Sequence, residues 1–206
     1  MAGAHAGNLG SFSAPMSGEL RVEAGTLLAA FPDMLDPNFM HSVVLICQHS
    51  DQGAYGVVTN RATKLVVKKL LPDHPLLGQS NFPVFLGGPV EHKSTLQFLH
   101  VVPEAIPGGL SIDGKLWMGG ELDALGAYIA ANPRVARRKV RLFLGYSGWS
   151  PGQLDAELGT GSWLPAPPAM DAIFGEPGEP TWRRVVRSIG REGGALEQQP
   201  PDVSWN

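Results

Sequence analysis

The sequence predicts a single α+β domain, in which a mixed β-sheet (with barrel-like closure as an option) is flanked by a few short helices. Three observations point there. Short apolar runs bounded by Gly, Pro and Asn outnumber helical segments. Strand-like and helix-like stretches do not alternate regularly, which argues against a doubly wound parallel sheet. Hydrophobic residues make up 43% of the 206-residue chain, enough for one sizeable core.

The elements follow in chain order. Residues 1–18 are rich in Gly, Ala and Ser without a period and read as a flexible tail, so the domain is placed at 19–190. Residues 42–49 read as a central strand, because Val43, Val44, Leu45 and Ile46 are apolar on both faces. Ser50-Asp51-Gln52-Gly53 is a turn-rich link to a second strand at 54–59. Residues 64–71 suggest a short helix. Further strands are expected at 84–86, 96–101, 115–118 and 140–144. Residues 121–131 carry Leu122, Leu125 and Ile129 at helical spacing, and Asn132-Pro133 stops the run. A short helix is expected at 151–158 and a longer one at 180–189. The latter sets Trp182, Val185, Val186 and Ile189 on one side and ends at Gly190. Residues 191–206, with paired Gly, Gln and Pro, read as a second flexible tail.

Composition excludes several classes. A formal net charge of −3 offers no overall attraction to nucleic acid or an anionic membrane. The one cysteine, Cys47, rules out an intrachain disulfide and a multi-cysteine zinc site. Neither the six histidines nor the carboxylates, Asp33 and Asp36 included, have metal-ligand spacing. Aliphatic runs fall far short of the ~20 residues of a membrane helix. The first twenty residues have neither the basic start nor the apolar segment of a secretory signal. The expected setting is the cytoplasm, with no membrane partner.

Residues 141–158 are the most informative stretch. They read as a buried strand, a glycine-rich turn and a helix, a layout that often presents a ligand to a helix N-terminus. Ser150, Pro151 and Gln153 have the spacing of a capping box, with serine at the N-cap and glutamine at N3. Gly145, Gly148 and Gly152 let the backbone turn sharply and approach another surface. Convergence with the Gly87-Gly88-Pro89 turn is expected on the same grounds. Gly145, Ser147, Gly148, Trp149, Ser150, Gly152 and Gln153 are therefore the candidate residues, with that turn, for a small anionic ligand or a protein partner. Gly145-Tyr146-Ser147-Gly148-Trp149 has tryptophan where a nucleophile elbow needs its second glycine, so no catalytic residue is assigned. Gly87-Gly88-Pro89 lacks the lysine of a P-loop.

Two further groups carry candidate chemistry. Cys47 and His49 are two apart, so a regular strand would point both to one face, where an imidazolium could activate the thiol. Four aliphatic residues precede Cys47, which favours an inert buried thiol. Arg134, Arg137, Arg138, Lys139 and Arg141 add five positive charges, and Arg183, Arg184 and Arg187 lie on the last predicted helix. On a shared face they would form an anion-binding patch suited to nucleic acid.

Gly25-Thr-Leu-Leu, Asp36-Pro37-Asn38-Phe39, Ser42-Val-Val-Leu, Gly53-Ala54-Tyr55-Gly56 and Asn60-Arg61 precede Gly87-Gly88-Pro89-Val90 and Gly119-Gly120. The 141–163 stretch, Trp182 and Gly190 follow. This order over most of residues 22–190 resembles the AlgH/YqgE family of bacterial proteins. His41 and Ala62 depart from it, standing where the family commonly has arginine and proline. An anion held by that arginine would be held by His41 only when protonated. The resemblance implies an α+β fold around a mixed sheet, a role in transcriptional regulation without a recognised DNA-binding motif, and no cofactor. It also implies alanine as the common residue at position 147, which weighs against a nucleophile there. The expected function is regulatory binding rather than catalysis. The alternatives are an enzyme for a small anionic metabolite at 145–153, or DNA binding through 134–141.

Overall fold

The computed structural model describes residues 21–189; both tails and the Gly190 helix stop lie outside the described residues. The strands are β1 (Leu27–Ala30), β2 (Val43–Ser50), β3 (Gly53–Val58), β4 (Ala62–Val66), β5 (Pro83–Leu86), β6 (Leu96–His100), β7 (Leu110–Ser111), β8 (Trp117–Met118), β9 (Val140–Leu144), β10 (Ser147–Trp149) and β11 (Trp163–Ala166). The helices are α1 (Leu122–Ala131), α2 (Gln153–Gly159), α3 (Met170–Phe174) and α4 (Glu179–Ser188). Together they make a mixed α+β domain.

An antiparallel sheet runs in the order β10-β3-β2-β1-β11. The second runs β4-β5-β9-β6-β8-β7, with β5 and β9 parallel and its other pairs antiparallel. Among the described residues neither sheet closes into a barrel; the two pack face to face. Val43 and Leu45 of β2 meet Phe85 and Phe143 of the second sheet in the core between them, and α3 and α4 close its end with Ile173, Phe174, Trp182 and Val186. The alternate residues Val44 and Ile46 join Trp149, Trp163 and Leu154 of α2 on the outer face. In β9, Leu142 faces away from Phe143 and packs with Leu125 and Ile129 of α1. Both central strands are thus apolar on two faces because both faces are covered.

The segment 64–71 is a correction. Ala62–Val66 is an edge strand, followed by one 3₁₀ turn at Val67–Lys69. Pairing with β5 and a Thr63 hydroxyl bond to the Val84 carbonyl (2.6 Å) override the local helical preference. The helix expected from 151 starts at Gln153. Gly152 at φ 72° is left-handed, so the helix cannot begin before it. Ser150 makes no side-chain cap; its N–H donates to the Gln153 side-chain oxygen at 3.0 Å, one half of the expected capping box.

Candidate functional site

The two glycine turns meet. Val90 and Tyr146 exchange backbone hydrogen bonds at 3.0 Å each, Gly87 N–H donates to Leu144 O (2.8 Å), and Val58 N–H donates to Gly87 O (2.8 Å). Backbone of one turn fills the space beside the other. A Cβ on Gly88 would lie 2.2 Å from the Tyr146 carbonyl, one on Gly87 2.4 Å from Gly145 O, and one on Gly145 2.6 Å from Val90 O. Gly87, Gly88, Gly145 and Ser147 are buried, with the Ser147 hydroxyl donating to Gly87 O at 3.3 Å. Gly148, Ser150, Gly152 and Gln153 form an exposed rim, and Pro89 is half-buried.

Glu157 organises this rim, a role the sequence did not reveal. Its Oε2 accepts the indole N–H of Trp149 (2.9 Å) and of Trp163 (2.7 Å), while Oε1 accepts from the Gln153 side-chain amide (2.9 Å). On the other side, the Tyr55 hydroxyl donates to Gln97, whose amide donates to Gly145 O at 3.0 Å. The Tyr55 and Tyr146 rings stand 5.3 Å apart. Burial, reinforced by the Cys47 thiol, raises the Tyr55 pKa and keeps the phenol protonated.

Cys47 and His49 do not share a face. The β2–β3 register shifts between Ile46 and Gln48, leaving Cys47 as the extra residue of a β-bulge, and alternation restarts beyond it. Cys47 packs on the core between the sheets, and burial drives its thiol pKa far up. His49 turns to the other side, donating from Nδ1 to Val22 O (2.9 Å) with Nε2 3.6 Å from Asp155 of α2.

The basic stretch divides. Arg134, Arg137, Arg138 and Lys139 are exposed. Arg141 is 4% exposed: it donates to Thr59 O (2.7 Å) and Gly175 O (2.6 Å) and lies 4.1 Å over the Phe85 ring. Burial lowers its pKa to about 10, so it stays charged at neutral pH. On α4, Arg183 pairs with Glu179 and Arg184 with Asp171 (2.9 Å). The 3₁₀ turn Ala136–Arg138 packs on β9 of the second sheet, whereas α4 packs on β1, β2 and β11 of the first.

A groove of about 360 Å³ that the sequence did not suggest lies where Met40, His41, Asn60, Arg61, Ala62 and Gly178 come together. Asn60 accepts the Val43 N–H (2.9 Å) and donates to His41 O (2.9 Å) and Gly178 O (3.0 Å), joining β2 to the start of α4. Arg61 donates to Pro37 O (3.0 Å), Asn38 O (2.6 Å) and Met40 O (3.3 Å). His41, at φ 52°, sets its ring 4.5 Å from that of Trp182. His41 and Ala62 both line this groove. The Asn60-Arg61 pair was visible in the sequence; its meeting with 36–41 and 177–179 was not.

Two packed sheets flanked by four short helices place the described residues in the class of small mixed α+β proteins. A family model described as AlgH-like matches residues 27–193, and the chain belongs to that family. It is 35% identical to a UPF0301 protein of Chlorobium luteolum over 180 residues, covering 87% of this chain and 93% of that one. A UPF0301 protein of Mycobacterium bovis is 35% identical over 190 residues, covering 90% and 92%. The solution structure of AlgH from Pseudomonas aeruginosa matches with a TM-score of 0.66 at 30% identity, covering 91% of this chain and 98% of that one. A crystal structure from Corynebacterium diphtheriae, with the same TM-score at 23% identity and covering 87% and 93%, shares the fold.

Proposed function

We propose that this protein is a regulatory binding protein that works through contacts rather than turnover, in the setting of transcriptional control in the cytoplasm. The exposed rim Gly148, Ser150, Gly152 and Gln153, on the joined turns that also carry Gly87, Gly88, Pro89, Gly145, Ser147 and Trp149, is its contact surface for a small anionic ligand or a protein partner. One observation carries this: the joined turns are closely packed and hydrogen-bonded to each other, yet Gly148 and Gly152 stay exposed with little around them. A preformed surface loses little entropy on binding. The buried Ser147 hydroxyl, bonded to a backbone carbonyl rather than a base, favours binding over an acyl-transfer enzyme.

Thermal unfolding of the full chain against nucleotides, phosphorylated metabolites and short DNA tests the proposal. A ligand at 100 times its Kd adds about 2.7 kcal/mol and raises the midpoint by several degrees. Gln153→Ala or Gly148→Val should abolish that shift while leaving unliganded stability within ~1 kcal/mol. A shift untouched by both variants would remove the rim from consideration. The exposure of Arg134, Arg137, Arg138 and Lys139 favours DNA as a second reading, which requires affinity to fall steeply with salt.

A further inference from the structure

The segment between β4 and β5 is closed by a histidine. Leu77–Gln79 forms a 3₁₀ turn, and the chain around it folds back on Val67–Lys69: Lys68 N–H donates to Ser80 O (3.2 Å) and Val67 N–H to Phe82 O (2.9 Å). Leu77 is fully buried in one cluster with Val67, Leu125 and Ile129. The first N–H groups of such a turn need acceptors from outside it. Leu76, at its N-terminal edge, has no polar side chain to offer. His74 supplies the acceptor instead. Its Nδ1 accepts the N–H of Leu76 and that of Leu77, at 3.2 Å each, so one lone pair serves two donors.

An imidazole nitrogen accepts only while unprotonated, so the ring in this closed form is the neutral tautomer with its proton on Nε2. Nε2 is buried and makes no hydrogen bond among the described residues. Asp123 Oδ1 stands 3.2 Å from it, on a side chain that is 96% exposed. The helix α1 comes so close that a Cβ on Gly126 would lie 3.0 Å from the ring's Cε1, which leaves the ring little room to turn over. Around His74, α1 brings Asp123 and Tyr128, and the Val67–Lys69 turn brings Lys68 and Lys69. Leu77–Gln79 brings no titratable group, and Asp73 adjoins His74 in the chain. Asp123 is thus the charge set against the one nitrogen that is free of the cap.

We propose that His74 is a proton-operated latch on the 74–82 segment. In the neutral form, Nδ1 holds the turn shut. A protonated ring carries N–H on both nitrogens, and a donor at Nδ1 then faces two other donors. The cap is lost, the charged ring keeps Asp123 as its partner, and the Leu77–Gln79 turn lifts away from Val67 and Leu125. Protonation and the closed turn exclude each other, so acidification shifts the population toward the open form. The latch shares no residue with the joined turns and stands independently of the function proposed for them.

Amide hydrogen exchange of the full chain, read residue by residue and corrected for the intrinsic pH dependence of exchange, tests the latch. Between about pH 8 and about pH 5, protection of Leu77, Gly78 and Ser80 falls at least about tenfold relative to amides of β6 and β9, which report global opening. His74→Asn sets Oδ1 in the place of Nδ1 and does not titrate, so protection stays high at both ends of the range. His74→Leu removes the acceptor, and protection is low throughout. Should His74→Leu not fold, wild type and His74→Asn carry the comparison. Asp123→Asn removes the anion that steadies the charged ring and moves the transition to lower pH. Wild-type protection that never departs from that of β6 and β9, a pH-dependent loss that survives His74→Asn, or ring ¹⁵N shifts placing the proton on Nδ1 at neutral pH would each overturn the inference. A transition unmoved by Asp123→Asn would overturn the pairing with Asp123.

Discussion

His100 lies fully buried in β6, donating from Nε2 to Gly119 O (3.0 Å) and accepting the Val102 N–H at Nδ1 (3.3 Å). Burial lowers its pKa below the usual 6.5, against smaller opposing effects of the Gly119 bond and Glu104. A depressed histidine pKa means the folded state favours the neutral ring. Its stabilisation is complete above the unfolded value of about 6.5 and is lost as pH falls toward the folded pKa. Urea unfolding should therefore show stability dropping by up to ~1.4 kcal/mol per pH unit on acidification below about 6.5. His100→Gln should flatten that slope; an unchanged slope would assign acid sensitivity elsewhere. Arg141 teaches the complementary lesson. In the sequence it belongs to a basic run, but Thr59 and Gly175 supply the carbonyls that let it be buried. Neither acceptor is near it in the chain.

At the scale of elements, the glycines at the joined turns separate into two kinds. At Gly145, with φ 70°, an added Cβ would meet three backbone atoms within 2.7 Å, whereas at Gly152, with φ 72°, it would meet nothing within 4 Å. Gly152→Ala should cost only the left-handed penalty, about 1–2 kcal/mol. Gly145→Ala adds a clash that cannot relax without separating the turns, and should cost more than about 3 kcal/mol. Equal losses in urea unfolding would show that the close approach has no energetic weight. The glycine pattern was legible because a turn leaves a local signature. The start of α2 was less so, since Ser150-Pro151 is an equally good helix opening until Gly152 adopts its left-handed conformation. The β-bulge at Cys47 was invisible for a related reason: a register shift belongs to a pair of strands, and a single strand's alternation cannot report it.

Across the whole molecule, Trp182 links the layers. It is 1% exposed in the core between the sheets, donates to Ala30 O at 2.8 Å, and lies under the His41 ring. Trp182→Ala should cost about 3–5 kcal/mol, read as a fall in Tm, because α4 loses its anchor and leaves a cavity that the sheets cannot fill. A loss below ~1 kcal/mol would mean α4 is peripheral to folding. The sequence by itself determined the α+β class, the central strands β2 and β9, the long helices α1 and α4, and membership of the AlgH-like family. Each follows from local periodicity or from motif order, which a single chain carries in full. Only the tertiary structure decided that the sheets are two, that Arg141 is buried while its neighbours are exposed, and that Asn60 and Arg61 clamp a loop and a helix into one groove. Those outcomes depend on which distant backbone groups and apolar faces meet, and burial and hydrogen bonding between them exist only once the layers pack.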